Sequence, residues 1–118
     1  HVTTGGYLKQ IRAYENMEIN PIFNPIRARL VAMTEKYEAI VNAVVETKNQ
    51  EYLDFVARRL VEMAGHIIMT YLLIIDATRD EQFRTSAEVY INYAEAEVEK
   101  HYSFIKAFNI DDIELYKA

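Results

Sequence analysis

The sequence of 118 residues contains no cysteine, so it has no disulfide framework, no thiolate zinc site and no cysteine nucleophile. It has only three glycines and two prolines, and turns usually consume these residues, so the chain is expected to form long helices. Basic residues are outnumbered 13 to 18, a formal charge of −5, which argues against a general nucleic-acid binder needing a basic footprint on phosphates. Gly-rich phosphate loops, a Gly-x-Gly-x-x-Gly and a Gly-x-Ser-x-Gly elbow are all missing. No signal-peptide pattern follows the opening His1-Val2-Thr3-Thr4-Gly5-Gly6, and the densest apolar run, 63–75, falls short of the roughly 20 residues of a membrane span. A cytoplasmic protein without membrane contact is the expectation. The start without methionine also fits a domain excised from a longer protein. Apolar residues at 51% and charged residues at 26% describe a folded chain of single-domain size, taken as one bundle over 1–118.

Hydrophobic spacing then places the helices. Tyr7, Leu8, Ile11 and Tyr14 mark a short helix over Gly6–Glu15. Asn24-Pro25 starts a long one, because proline suits the first turn and asparagine can cap it. Along that helix Ile26, Leu30, Met33, Tyr37, Ile40 and Val44 recur at alternating steps of 4 and 3, with Val31, Val41 and Val45 widening the stripe to a stop near Glu46. Thr47-Lys48-Asn49-Gln50 offers a capping box for a second long helix over about 50–77. Its seam is Leu53, Val56, Leu60, Met63, Ile67, Tyr71 and Ile74, and over 67–75 it is apolar on every face. Asp54 and Arg58 are spaced to pair at i, i+4. Thr78-Arg79-Asp80-Glu81 is the next cap, before a third long helix over about 81–108 carrying Phe83, Ala87, Tyr90, Ala94, Val98, Tyr102 and Ile105. The acidic tail has Ile113, Leu115 and Tyr116 as candidate anchors. The expected fold is all-α: an up-down antiparallel bundle of three long helices plus a short N-terminal helix.

Glu62 with His66, and Glu97 with His101, each set a carboxylate and an imidazole one turn apart. Carboxylate-bridged metal sites in bundles use Glu-x-x-His at i, i+3, whereas these are i, i+4, and Glu35 or Glu38 would have to complete the set. The bland alternative is a histidine satisfied by a helical neighbour. Most tyrosines, Tyr37, Tyr71, Tyr90 and Tyr102 among them, fall at seam positions, where core or interface packing explains them. Arg27-Ala28-Arg29 and Arg58-Arg59 are too short for polybasic patches and read as solvated or acid-paired. Asp111-Asp112 and Glu97/Glu99 read as solvent-facing. No catalytic, cofactor-binding or metal-ligating residue is assigned.

The stretch Val61-Glu62-Met63-Ala64-Gly65-His66-Ile67-Ile68-Met69-Thr70-Tyr71-Leu72-Leu73, then Ala87-Glu88-Val89-Tyr90-Ile91, Glu97-Val98-Glu99-Lys100-His101 and Asp112-Ile113-Glu114-Leu115-Tyr116-Lys117, resembles a known family. It is similar to the extra helical domain at the C-terminus of some bacterial acyl-CoA dehydrogenases, most of all Bacteroidetes members. The resemblance covers about half the chain, from near Ala57 to Lys117. It implies a parent enzyme in which a glutamate removes the α-proton of an acyl-CoA and FAD takes a hydride from the β-carbon. That machinery would lie upstream of His1; no segment here matches it, so no cofactor is expected in this fragment and the fragment itself is non-catalytic. The expected partners are the rest of the dehydrogenase polypeptide and further copies of itself. A free-standing helical interaction module and a carboxylate–histidine metal bundle are the alternatives. Surplus apolar surface over 67–75, with Ile91, Tyr93, Phe104 and Phe108, predicts a two-fold dimer unless the short helix and tail cover it.

Overall fold

The computed structural model describes residues 5–108, and the tail anchors and acids at 111–116 lie outside them. Helix α1 is Gly6–Glu15, α2 Asn24–Glu46, α3 Gln50–Arg79 and α4 Arg84–Ala107, with single 3-10 turns at Pro21–Phe23 and Glu81–Phe83. There is no strand among the described residues. Short connections fold α2, α3 and α4 into an up-down bundle, and the body is elongated, 49 × 24 × 19 Å. Helix α3 packs against the other three, and α1 lies across α2 and α3.

The seam of α2 is the one its spacing predicts, and so is that of α3 from Val56 onward, but at its start Tyr52 is buried and Leu53 only half-buried. Ile26, Leu30, Met33, Tyr37, Ile40 and Val44 are buried on α2; Leu60, Met63, Ile67, Tyr71 and Ile74 are buried on α3. By length and composition alone α3 could cross a membrane, its most apolar 18-residue window reaching a mean hydropathy of 1.6, but half of that window is buried inside the bundle. It is the core helix.

On α4 the seam is shifted. The buried positions are Ala87, Ile91, Ala94, Val98, His101 and Ile105, while Tyr90 and Tyr102 flank them and Phe83 is exposed. Isoleucine has no polar end to keep wet, whereas each tyrosine here gains by leaving its hydroxyl near solvent.

The helix starts also differ in detail. Helix α2 begins at Asn24-Pro25 as expected, but Asn24 does not cap it: Phe23 holds the cap position without a side-chain bond, and Asn20 caps the preceding 3-10 turn, its Oδ1 accepting from Ile22 N at 3.0 Å. Asn49 caps α3 by accepting from Tyr52 N at 3.0 Å. Thr47 has helical angles at the end of α2; its hydroxyl donates to Val44 O and accepts from Asn49 N rather than from a first-turn amide of α3. Between them Lys48 takes a left-handed φ of 53° to reverse the chain. Asp80, not Thr78, caps the turn before α4, accepting from Gln82 N. Thr78 lies inside α3, which continues to Arg79, and its hydroxyl donates back to Ile74 O. In all three places the residue with extended backbone and a short amide or carboxylate is the cap.

The N-terminal helix is held from both sides. Ile11 is fully buried, Arg12 bridges Glu15 at 2.7 Å and Glu38 at 3.1 Å, and Arg27 donates to the carbonyls of Glu15 and Met17.

Candidate functional site

The antiparallel pairing of α3 and α4 sets Glu62 opposite His101 rather than leaving each imidazole with its own helical glutamate. His101 Nε2 lies 3.0 Å from Glu62 Oε2, within ion-pair distance though outside directed hydrogen-bond geometry. Its Nδ1 lies 3.2 Å from an N–H of Arg59. An arginine can only donate, so Nδ1 is the acceptor and the ring proton resides on Nε2, toward the carboxylate. The Arg59 guanidinium also lies over the Phe104 ring, 3.7 Å from its centroid. Glu97 turns instead to Lys100, at 2.5 Å, and His66 meets the Tyr90 hydroxyl at 3.0 Å and the Tyr93 ring edge-on.

The candidate ligands are therefore dispersed. Glu62 and His101 come together; His66, Glu97 and Glu38 go to other partners, Glu38 to Arg12. Among the described residues no group of three or more such side chains is gathered to hold a metal ion.

His101 is buried, only 4% exposed, and its pKa is lowered, first by desolvation, with Lys100 and Arg59 adding to the effect and Glu62 and Glu97 opposing it. A neutral imidazole wedged between an arginine and a glutamate is a clasp between helices. The neutral form is favoured in the folded chain, so the unfolded state binds more protons below its ordinary value of 6.5. Stability accordingly falls as the pH drops below 6.5 toward the folded value, a window distinct from the lower one of Glu95, Glu97 and Glu99. His101→Asn should remove the slope in the upper window, measured as urea midpoint against pH; an unchanged slope would exclude His101 as its source.

The other two faces of the bundle are closed in different ways. Between α2 and α4, Arg29 makes a two-pronged contact with Glu95, at 2.9 and 3.1 Å, and reaches Asn92, while Lys36 pairs with Glu99. The hydrogen bond from Arg29 is the main reason Glu95 stays below the usual carboxylate range. Between α2 and α3 the cover is α1. The expected Asp54–Arg58 pair does not form: Arg58 turns to Glu62 at 3.2 Å, and Asp54 accepts from Gln50 at 2.8 Å.

An open cleft at one end of the α3–α4 face is bordered by Phe55, Arg58, Arg59, Glu62, His101 and Phe104. Arg59 covers the aromatic face that a planar ligand would stack on, and Phe108 stacks on Phe55.

The fold is thus an antiparallel helical bundle whose polar clusters fasten one helix to another. The acyl-CoA dehydrogenase C-terminal family matches residues 3–113. A solved structure of an acyl-CoA dehydrogenase family protein from Porphyromonas gingivalis is 46% identical, with a TM-score of 0.87, over 92% of this chain and 95% of that one. Comparison with curated proteins finds no match. This chain belongs to the acyl-CoA dehydrogenase C-terminal family.

Proposed function

We propose that this bundle is the accessory C-terminal domain of a flavin-dependent acyl-CoA dehydrogenase, itself non-catalytic and used for packing or oligomer contacts. The observation that carries the reading is the family match over nearly the whole chain, on a fold where Arg29–Glu95 and Glu62–His101 fasten neighbouring helices together. The α,β-dehydrogenation of acyl-CoA thioesters, the FAD and the catalytic glutamate then belong to the body of the parent enzyme, in the cytoplasm. The partners are that body and further copies, with no nucleic acid and no membrane.

Expressed alone, the 118-residue chain should be colourless and should not convert an acyl-CoA to its enoyl product. Visible absorption after purification, with an electron-acceptor assay, measures both. Stoichiometric FAD in the isolated chain would overturn the assignment.

A further inference from the structure

The surplus apolar surface is narrower than the sequence suggests. Ile67, Tyr71, Ile74, Ile75 and Ile91 are all buried. Apart from Phe55 near its start, what remains exposed of the apolar surface of α3 is one ridge: Val61, Gly65, Met69 and Leu72, at steps of 4, 4 and 3. The same ridge continues to charged ends, Asp54 and Arg58 before it and Asp76 and Arg79 after it, all exposed.

Gly65 sits at the middle of this ridge. A Cβ built there would meet nothing within 4 Å, and its φ is not in the left-handed region, so no contact or turn inside the chain calls for glycine. Glycine in a helix interior is unfavourable relative to alanine. What glycine does provide is room for another helix to approach the backbone.

The order of residues along the ridge identifies that helix. When a second copy of α3 is laid antiparallel on the first about a two-fold axis, Met69 of each copy falls over Gly65 of the other. In the same register, to within one residue, Val61 meets Leu72, Arg58 meets Asp76 and Asp54 meets Arg79. Each pair occurs twice by symmetry. The apolar centre is self-complementary in size and the ends are self-complementary in charge. A parallel overlay in register would instead set Arg58 on Arg58 and Asp76 on Asp76. The ridge runs for about 37 Å at the rise of an α-helix, and its near-heptad step suits a long, shallow crossing. Asp76 and Arg79 make no ion pair among the described residues.

We infer that this face pairs with a second copy of the chain, α3 against α3 and antiparallel, with Met69 seated over Gly65. The inference deepens the proposed contact role and rests on it. Its test reads self-association alone, so it can fail while the dehydrogenase assignment stands.

Sedimentation equilibrium of the 118-residue chain at micromolar concentration should give a concentration-dependent monomer–dimer equilibrium. Arg58→Asp alone and Asp76→Arg alone should each weaken dimerisation about tenfold, since each sets like charges together twice. The double variant Arg58→Asp/Asp76→Arg should recover most of that loss, with helical circular dichroism unchanged throughout. A strictly monomeric chain, growth beyond a dimer, or a dimer indifferent to both single reversals would each overturn the pairing.

Discussion

Ile67→Ala lowers the free energy of unfolding by about 2–5 kcal/mol, the range for emptying a well-packed aliphatic site. Ile67 has no exposed surface and sits midway along α3, the helix that touches each of the other three. Its neighbours on the seam, Leu60, Met63, Tyr71 and Ile74, are as fully enclosed, and they belong to rigid helices that cannot collapse into the space. The loss combines the transfer of the missing carbons with the hole they leave. Urea unfolding followed by far-UV circular dichroism gives the number directly. A cost under about 1 kcal/mol would mean that the site relaxes freely and that α3 is not the core.

Alkali should destabilise the protein once the pH rises above 10.0. Burial pushes the Tyr37 phenol from 10.0 up to about 12, and it raises Tyr71 further in the same direction. Neither hydroxyl has a hydrogen-bond partner among the described side chains and backbone. The folded chain therefore keeps a proton that the unfolded chain gives up once the pH passes 10.0, and stability is lost as the pH rises from there toward about 12. At about 1.4 kcal/mol per pH unit, Tyr37 alone accounts for a loss of order 3 kcal/mol across that window. Tyr37→Phe removes the titrating group and leaves the ring in place, so its urea midpoint should decline less steeply with pH than that of the wild type. Equal slopes would show that Tyr37 ionises normally in the fold.

Much of the fold can be read from the chain because its helices have strong periodicity and clear breaks. Tyr7, Ile11 and Tyr14 define α1, and Ile26 to Val44 defines the inner face of α2. What could not be read is which residue wins when two neighbours offer the same service. Thr47 and Asn49 both precede α3, and backbone geometry makes Asn49 the cap. Tyr90 and Ile91 both suit an inner face of α4, and the one without a hydroxyl goes in.

The Glu62–His101 contact was hidden for another reason. It depends on how far α3 and α4 slide past each other, and local spacing of Glu62 with His66 points to the wrong partner. The signal available was the step from Val98 to His101 to Ile105, which continues the inner face through the histidine. Likewise, an all-round apolar segment over 67–75 does not reveal which side remains exposed. Only the packing of α1 and α4 leaves Val61, Gly65, Met69 and Leu72 as the outward ridge.

The most direct measurement is made on the longer polypeptide that the proposed accessory role requires, with these residues at its C-terminal end. Removing residues 1–118 from it should leave a yellow, FAD-containing protein that still dehydrogenates an acyl-CoA, with altered assembly or stability. A parent that binds no flavin, or a truncation that stays folded and loses its flavin outright, would contradict a non-catalytic accessory role for this bundle.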